Sequence, residues 1–130
     1  MVPIDLTHYV FLFEEPLETL WIQSQTNNAF VGVLKVPTII DGEPDSVTMP
    51  AGGTINSMVK SPTGRKCYSI TMHAGTRLYT GAALSLDVTD RHFLFAGTYS
   101  YTLSRQAPGS ADPNVPIGPI PFAGVGRKKN

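Results

Sequence analysis

Hydrophobic and polar positions alternate with a period of two between residues 92 and 103 of the chain. A helix would scatter the large side chains of this stretch around its circumference, whereas a strand sends alternate side chains to opposite faces. The pattern therefore predicts a long β-strand with an aromatic face that the rest of the chain must cover. The residues on that face are Phe93, Phe95, Tyr99, Tyr101 and Leu103.

Shorter segments with strand-like composition precede this one. They lie at residues 9–13, 30–40, 47–49, 55–60, 66–73, 76–80 and 84–89. Turn residues separate them: Asn27-Asn28, Asp41-Gly42 (extended into a loop through Asp45), a break at 50–53, Ser61-Pro62-Thr63-Gly64, Ala74-Gly75, Gly81 as an interruption, and Asp90-Arg91. Pro37 lacks a backbone N–H, which predicts that its strand ends there or lies at a sheet edge.

Residues 15–25 leave two interpretations open. Pro16 with Leu17, Leu20 and Trp21 would suit a helix of one or two turns. Alternatively, a turn at 14–16 leads into a strand at 19–25. The strand is favoured, because Ile22 and the polar residues after it continue the helical pattern poorly.

The spacing of these segments predicts the fold class. Strands about eight to ten residues apart with tight connections are typical of antiparallel meanders, sandwiches and barrels. We therefore expect an all-β domain, either an antiparallel β-sandwich of jelly-roll type or a partly closed barrel. At 130 residues the chain is long enough for one such domain.

The composition changes at the C-terminal end. Residues 106–130 contain five of the eleven prolines and four of the twelve glycines, a composition that disfavours a regular helix or a central strand. The sequence thus predicts a β-domain at 1–105 and an extended C-terminal arm at 106–130. Its apolar residues should anchor the arm in a groove of a neighbour or of its own domain: Val115, Ile117, Ile120, Phe122 and Val125.

Charge is scarce and unevenly distributed. Charged residues make up 15% of the chain and cancel to a net charge of zero, so nothing global indicates nucleic-acid binding. Residues 1–45 carry seven acidic and one basic side chain, whereas 46–130 carry nine basic and three acidic ones. If these halves occupy different faces, copies could associate head to tail; otherwise the charges intermix in space.

The sequence also bears on where the protein is made. Cys67 is the single cysteine, so no intrachain disulfide is expected. No stretch approaches the ~20 apolar residues of a membrane helix, and the N-terminus lacks the basic region of a signal peptide. We expect synthesis in the cytoplasm and no membrane partner.

The sequence contains only weak signals for a catalytic, metal-binding or phosphate-binding site. His73 and His92, with Asp87 and Asp90 nearby, match no established metal-ligand spacing. Cys67 is expected to be a structural thiol, and residues 61–66 lack the spacing of a phosphate loop. Arg127-Lys128-Lys129 could contact phosphates or an acidic neighbour, although a basic terminus more often serves solubility. No catalytic residue, metal or cofactor is therefore expected.

Two functional hypotheses follow. The first is a structural assembly protein that forms a homo-oligomer or binds other structural proteins through its arm, as a virion or phage component of the capsid-decoration or tail kind would; this is an analogy of architecture. The second is a ligand-binding barrel or lectin-like module, possibly a small barrel cyclase or isomerase. Its pocket would be lined by Trp21, Tyr68, Met72, Tyr79, Phe93 and Tyr99.

Overall fold

The protein is an eight-stranded antiparallel barrel in the computed structural model, which describes residues 4–14, 17–57, 65–86, 89–104 and 114–129. A short 3-10 turn at Leu6–His8 precedes the strands. These are β1 (Tyr9–Glu14), β2 (Leu17–Thr26), β3 (Ala29–Ile40), β4 (Glu43–Ser57), β5 (Cys67–Ala74), β6 (Arg77–Ser85), β7 (His92–Ser104) and β8 (Asn114–Lys128). Among the described residues, no helix is long and apolar enough to cross a bilayer.

The strands follow one another around the barrel in chain order, and β8 closes it by pairing with β1. The all-β prediction is confirmed. Of the two expected architectures the structure has the barrel, and its closure is complete: the strands form one continuous sheet and not the two packed sheets of a sandwich. Closure pairs the edges that an open sheet would leave exposed.

Several predicted elements are confirmed. The segment that allowed a helix or a strand is strand β2, and turns occupy Asn27-Asn28 and Asp41-Gly42. Pro37 lies in β3 beyond Lys35, the last β3 residue that pairs with β2 at this end. Its strand is therefore at a sheet edge there, as expected. The turn predicted at 61–64 lies outside the described residues.

Three predicted interruptions are wrong: the extension of the Asp41-Gly42 turn into a loop through Asp45, the break at 50–53 and the interruption at Gly81. Strand β4 runs without interruption from Glu43 through the residues around Gly53, and β6 runs through Gly81. Both glycines allow a neighbouring strand to approach closely. A Cβ on Gly53 would lie 2.0 Å from the carbonyl oxygen of Thr71, and one on Gly81 would lie 2.2 Å from that of Ala96. They are therefore positions of close strand contact and do not end a strand.

The C-terminal segment also differs from the prediction. Residues 114–128 form β8, which pairs with β7 on one side and β1 on the other. This stretch is a wall of the barrel and not a projecting arm, so the expected boundary at residue 105 does not separate it from the domain. Residues 105–113 and 130 lie outside the described part of the chain.

Aromatic rings fill the barrel interior. Phe122 of β8 lies among Phe95, Tyr79 and Phe13, with ring centroids 5.1, 5.3 and 5.5 Å away and near-perpendicular ring planes. Such edge-to-face packing suits the quadrupoles of aromatic rings. Phe93, Phe95 and Tyr99 are buried and Tyr101 is half-buried against the core, which confirms the aromatic face predicted for β7 at these positions. The side chain of Leu103 lies outside the described part of the protein.

The barrel has two distinct ends. The turns between β3 and β4 and between β5 and β6 lie at the upper end, whereas the chain enters β1 and leaves β8 at the lower end. The 3-10 turn covers the lower end: Leu6 is buried, and its N–H donates to Oε1 of Gln25 at 2.8 Å. The Gln25 amide in turn donates to the carbonyl of Ile4 at 2.9 Å.

Candidate functional site

The barrel interior holds most of the residues expected to line a ligand pocket. Tyr68, Met72, Tyr79, Phe93 and Tyr99 are all buried in the aromatic core and pack against other core residues. Trp21 is half-buried, and its cross-strand partners are Val10 and Val33. Rings packed against one another at 5–6 Å leave the centre of the barrel occupied by side chains.

A charged cluster lies inside the upper end. Glu18 of β2 is 1% exposed, and its carboxylate forms an ion pair with the Arg77 guanidinium of β6. Arg77 also donates to the Tyr79 hydroxyl at 3.0 Å, and that hydroxyl donates to Glu18 at 3.3 Å. The guanidinium carbon lies 5.3 Å from the centre of the Tyr99 ring, a cation–π distance.

These contacts shift the acid–base properties of the cluster. Burial raises the pKa of the Tyr79 hydroxyl to about 12, because the phenolate would be poorly solvated. Burial by itself would lower the pKa of Arg77, but its hydrogen bonds to Tyr79 and Glu18 outweigh this and raise it above its ordinary value. The three groups thus satisfy one another and bridge β2 to β6 across the barrel. Such a closed network suits a structural role better than proton transfer at neutral pH.

A two-stranded ribbon projects beyond the upper end. Residues 36–40 of β3 pair with residues 43–47 of β4, above the last β2–β3 pair, Thr19 with Lys35, and the last β4–β5 pair, Ala51 with Ala74. Five residue pairs at about 3.3 Å per residue extend the ribbon by roughly 16 Å. Asp41 and Gly42 form its tip, both with positive φ as a two-residue hairpin turn requires.

The β3–β4 ribbon carries exposed apolar and acidic side chains together. Ile39, Ile40 and Val47 are 73%, 47% and 45% exposed. The acidic residues of the ribbon are also exposed: Asp41, Glu43 and Asp45. Cross-strand pairing and strand alternation place Ile40 and Val47 on the same face of the ribbon as Glu43 and Asp45, and Ile39 on the opposite face. Two exposed apolar side chains on one face of a projecting element indicate a contact surface.

A basic pocket lies at the lower end. Its cavity of about 410 Å³ is lined by Arg91, His92, Arg127, Lys128 and Lys129. Arg127 and His92 are direct cross-strand partners of β8 and β7. The backbone N–H of Lys128 donates to the Arg91 carbonyl at 2.8 Å, so strand pairing brings the two basic segments together.

The two carboxylates described nearest to this end have other partners. Asp90 pairs with Lys66 at 2.6 Å and accepts from the Ser85 hydroxyl at 2.8 Å. Asp5 accepts from the backbone and side chain of Thr7. Neither lines the basic pocket. Among the described residues, three exposed carboxylates therefore lie on the ribbon above the barrel, and five basic side chains lie around the pocket below it. Arg77 at the upper end is paired with Glu18.

The residues predicted as arm anchors all lie on β8, but in different surroundings. Phe122 is buried in the core, and Ile120 is half-buried against it. Val115 and Ile117 are half-buried beyond the barrel body, opposite Leu103 and Tyr101 of β7. Val125 is exposed on the outer wall, between its cross-strand partners Leu12 and Leu94. A role for any of them in a contact with another molecule stays a prediction.

The histidines and the cysteine are not brought together. His73 lies at the upper end of β5 and His92 at the lower end of β7. Among the described residues, no group of three or more potential metal ligands forms a site. Asp87 lies outside the described residues. Cys67 is half-buried at the lower end of β5.

Sequence reasoning noted Arg127-Lys128-Lys129 but missed Arg91 and His92 as part of the same site. The two segments are far apart in sequence, and only the β7–β8 register brings them together. The alternation of β7 shows which way His92 faces, but no local signal identifies its partner strand.

No known protein family matches the chain, and comparison with curated proteins and with solved structures finds no significant match. The functional conclusion therefore depends on the geometry of the two barrel ends.

Proposed function

We propose that the protein is a structural module that assembles head to tail with copies of itself, the β3–β4 ribbon of one copy contacting the basic pocket of the next. The observation that carries this proposal is that three exposed carboxylates lie on the ribbon at one end of the barrel and five basic side chains line a pocket at the other. Complementary potentials orient two molecules as they meet and favour one register over others.

The composition of the ribbon supports a second copy as its partner. The ribbon's carboxylates match the cations of the basic pocket, while Ile40 and Val47, on the same ribbon face as Glu43 and Asp45, supply the apolar surface that a charged contact lacks. Pro37 and Pro44 lack backbone N–H groups on the two ribbon strands. A strand of another molecule would find fewer backbone donors to pair with on this ribbon. We therefore expect side chains and not backbone pairing to dominate the contact between copies.

The geometry of the contact determines the kind of assembly. Because the two surfaces differ, the interface is heterologous and produces either a ring or an open filament. A homo-oligomer or larger lattice of this kind matches the first hypothesis from the sequence, with the ribbon replacing the C-terminal arm as the contact element. The more specific hypothesis, that this lattice belongs to a virion or phage particle, stays a prediction from the sequence.

The alternative, a barrel that binds a ligand in an aromatic-lined interior, has less support. Its expected lining residues pack against one another at the centre of the barrel. Edge-to-face ring contacts of 5–6 Å leave little room among them for a ligand.

Sedimentation velocity over a range of protein and salt concentrations tests the proposal. We expect association at low salt that weakens as salt screens the charges. The D41N/E43Q/D45N variant should be monomeric, whereas E14Q, which removes an acidic side chain at the same end but outside the ribbon, should associate like the wild type.

A charge-swap experiment makes the test specific. E43K/D45K and R127E/K128E should each lose self-association, and an equimolar mixture should regain it, because each variant then offers what the other lacks. Asp41 is kept because its backbone has a positive φ, which Asp tolerates better than Lys does. A wild-type protein that stays monomeric at low salt, or a mixture that does not associate, overturns the proposal.

A further inference from the structure

The Arg77 guanidinium uses only one of its nitrogens within the barrel. Nη1 donates to the Glu18 carboxylate and to the Tyr79 hydroxyl, which occupies both of its hydrogens. In the described part of the chain, no group accepts a hydrogen bond from Nε or Nη2. The side chain is 22% exposed, and no enclosed side-chain nitrogen of the described residues lacks a partner. The edge formed by Nε and Nη2, with two parallel N–H donors, is therefore open to solvent at the upper end of the barrel.

Two tyrosine hydroxyls accompany this open edge. Tyr99 is 8% exposed, and its ring centre lies 5.3 Å from the guanidinium carbon of Arg77. Tyr101 stacks on Tyr99 with ring centroids 6.4 Å apart, and the pairing of Leu78 with Ser100 brings Tyr101 beside Arg77 on the adjacent strand. Among the residues that the structure describes, neither hydroxyl has a hydrogen-bond partner, and neither is enclosed. A tyrosine as deeply buried as Tyr99 normally pairs its hydroxyl, so an open hydroxyl here indicates a partner from outside the chain.

These donors lie at the base of a recess between two ribbons. Residues 101–104 of β7 pair with 114–117 of β8 above the last β6–β7 pair, which makes a second projecting ribbon. In the ring of eight strands this β7–β8 ribbon and the β3–β4 ribbon lie four strands apart, on opposite sides of the upper end. Ile117 is half-buried and is the cross-strand partner of Tyr101, so both lie on one face of the β7–β8 ribbon. The recess thus has hydrogen-bond donors at its base and an apolar side wall.

We propose that this recess binds the carboxylate of a small apolar or aromatic acid. The two parallel N–H groups of the open Arg77 edge match the two oxygens of a carboxylate, and the hydroxyls of Tyr99 and Tyr101 can donate to the same oxygens. The apolar body of the acid packs against the Tyr101 ring and Ile117. The site lies above the packed aromatic interior, so it needs no cavity inside the barrel.

The charges around the recess favour a single negative charge on the ligand. Glu18 already pairs with Arg77, so a dianion would leave excess negative charge in a partly buried site. Strand pairing places Arg77 level with Ala74 and Ala51. The carboxylate of Asp45 lies about 20 Å further along β4, at about 3.3 Å per residue. This exceeds the roughly 8–10 Å beyond which salt screens exposed charges, so the acidic ribbon does not prevent a carboxylate from binding.

Titration calorimetry with 3-phenylpropionate tests this inference. We expect saturable binding of one acid per chain, and binding of the neutral 3-phenylpropionamide at least about tenfold weaker, because its amide nitrogen replaces an acceptor oxygen. R77K keeps the positive charge but lacks the parallel donors, so it should raise the dissociation constant at least about tenfold. R65K makes the same change at an exposed arginine before β5 and should leave the dissociation constant unchanged.

A second variant keeps the test valid if R77K does not fold. Y101F retains the stacked ring and removes only the hydroxyl, so it should weaken binding of 3-phenylpropionate at least about threefold. Circular dichroism of each variant checks that the barrel is folded. The inference is overturned by the absence of saturable binding, by equal binding of the acid and its amide, or by unchanged affinity in either folded R77K or Y101F.

The carboxylate belongs either to a free acid or to the C-terminus of a peptide, and a short peptide that ends in phenylalanine distinguishes them. Tighter binding of this peptide than of 3-phenylpropionate, lost in its C-terminal amide, assigns the site to peptide C-termini. Weaker binding of the peptide assigns it to free acids.

This inference does not rest on head-to-tail assembly. D41N/E43Q/D45N changes only the β3–β4 ribbon, so it should bind 3-phenylpropionate as the wild type does, whether or not the wild type associates. Loss of binding in this variant would overturn the carboxylate site, whereas a wild type that binds the acid but stays monomeric overturns only the assembly proposal.

Discussion

Gly124 of β8 lies directly opposite Phe13 of β1, and a Cβ on this glycine would be 2.4 Å from the Cδ1 atom of that ring. On its other side Gly124 faces Phe95 of β7. Gly126 has the same relationship to Phe11, at 2.4 Å, and to Phe93. Gly124 and Gly126 therefore provide the space that the rings of Phe13 and Phe11 of β1 occupy.

We expect Gly124→Val to destabilise the barrel by about 1–3 kcal/mol, the usual cost of overpacking a filled core. The free energy of unfolding in denaturant measures it. Ala123→Val adds bulk to the neighbouring, exposed position and should change stability by less than about 0.5 kcal/mol. Equal effects of the two substitutions would contradict the packing described for Gly124.

Phe95→Ala should cost about 3–5 kcal/mol of unfolding free energy, because the ring is 1% exposed and contacts Phe11, Phe13 and Phe122. The denaturant midpoint of the variant measures the loss. Leu12→Ala, on the outer wall, removes a side chain that is 50% exposed and should cost clearly less. A cost below about 0.5 kcal/mol for Phe95→Ala would place that ring outside the core.

Replacing Glu18 by Gln should destabilise the protein by about 3 kcal/mol, since Arg77 would keep a largely buried charge without its partner. Replacing both residues, as in E18L/R77M, should cost less than E18Q, because no unpaired charge remains. Thermal and denaturant unfolding of both variants give the comparison. A double variant less stable than E18Q would show that the ion pair itself contributes net stability.

Stability should fall as the pH rises from about 10 to about 12. Tyr79 has a pKa of about 12 in the folded protein and an ordinary value of 10.0, so in this window the unfolded chain loses the Tyr79 proton while the folded barrel retains it. A shift of this size corresponds to roughly 2–3 kcal/mol. Comparing the unfolding free energy of the wild type and of Tyr79→Phe at each pH isolates the contribution of Tyr79. The variant should lose less stability between pH 10 and 12. Parallel pH profiles would show that Tyr79 titrates normally.

Truncation after residue 105 should abolish cooperative folding, because it removes β8 and leaves β1 and β7 with unpaired edges and uncovered aromatic faces. Circular dichroism and thermal melting of the truncated chain measure this. An unchanged spectrum with a cooperative transition would contradict this expectation and show that residues 106–130 are an arm separable from the domain.

Local features of the fold, the alternation of strand residues and the chemistry of the turns, could be predicted from the amino-acid sequence alone. The inward face of β7, with Phe93 and Phe95, follows from the period of two, and the Asp41-Gly42 hairpin follows from residues that tolerate positive φ. The all-β class follows from many such segments in succession. The possibility of head-to-tail charge complementarity was also visible, because acidic and basic residues fall in different halves of the chain.

Whether the glycine- and proline-rich segments form strands depends on the packing of the whole barrel. The sequence predicts an arm at 106–130 because glycine and proline disfavour strands on average, and it predicts breaks at Gly53 and Gly81 for the same reason. In the barrel these glycines stand where a ring or a neighbouring backbone occupies the position of a side chain. Likewise, Arg91 and His92 join Arg127 and Lys128 only through the register of β7 with β8. Both features depend on which residues face each other across strands, a relationship that no local pattern encodes.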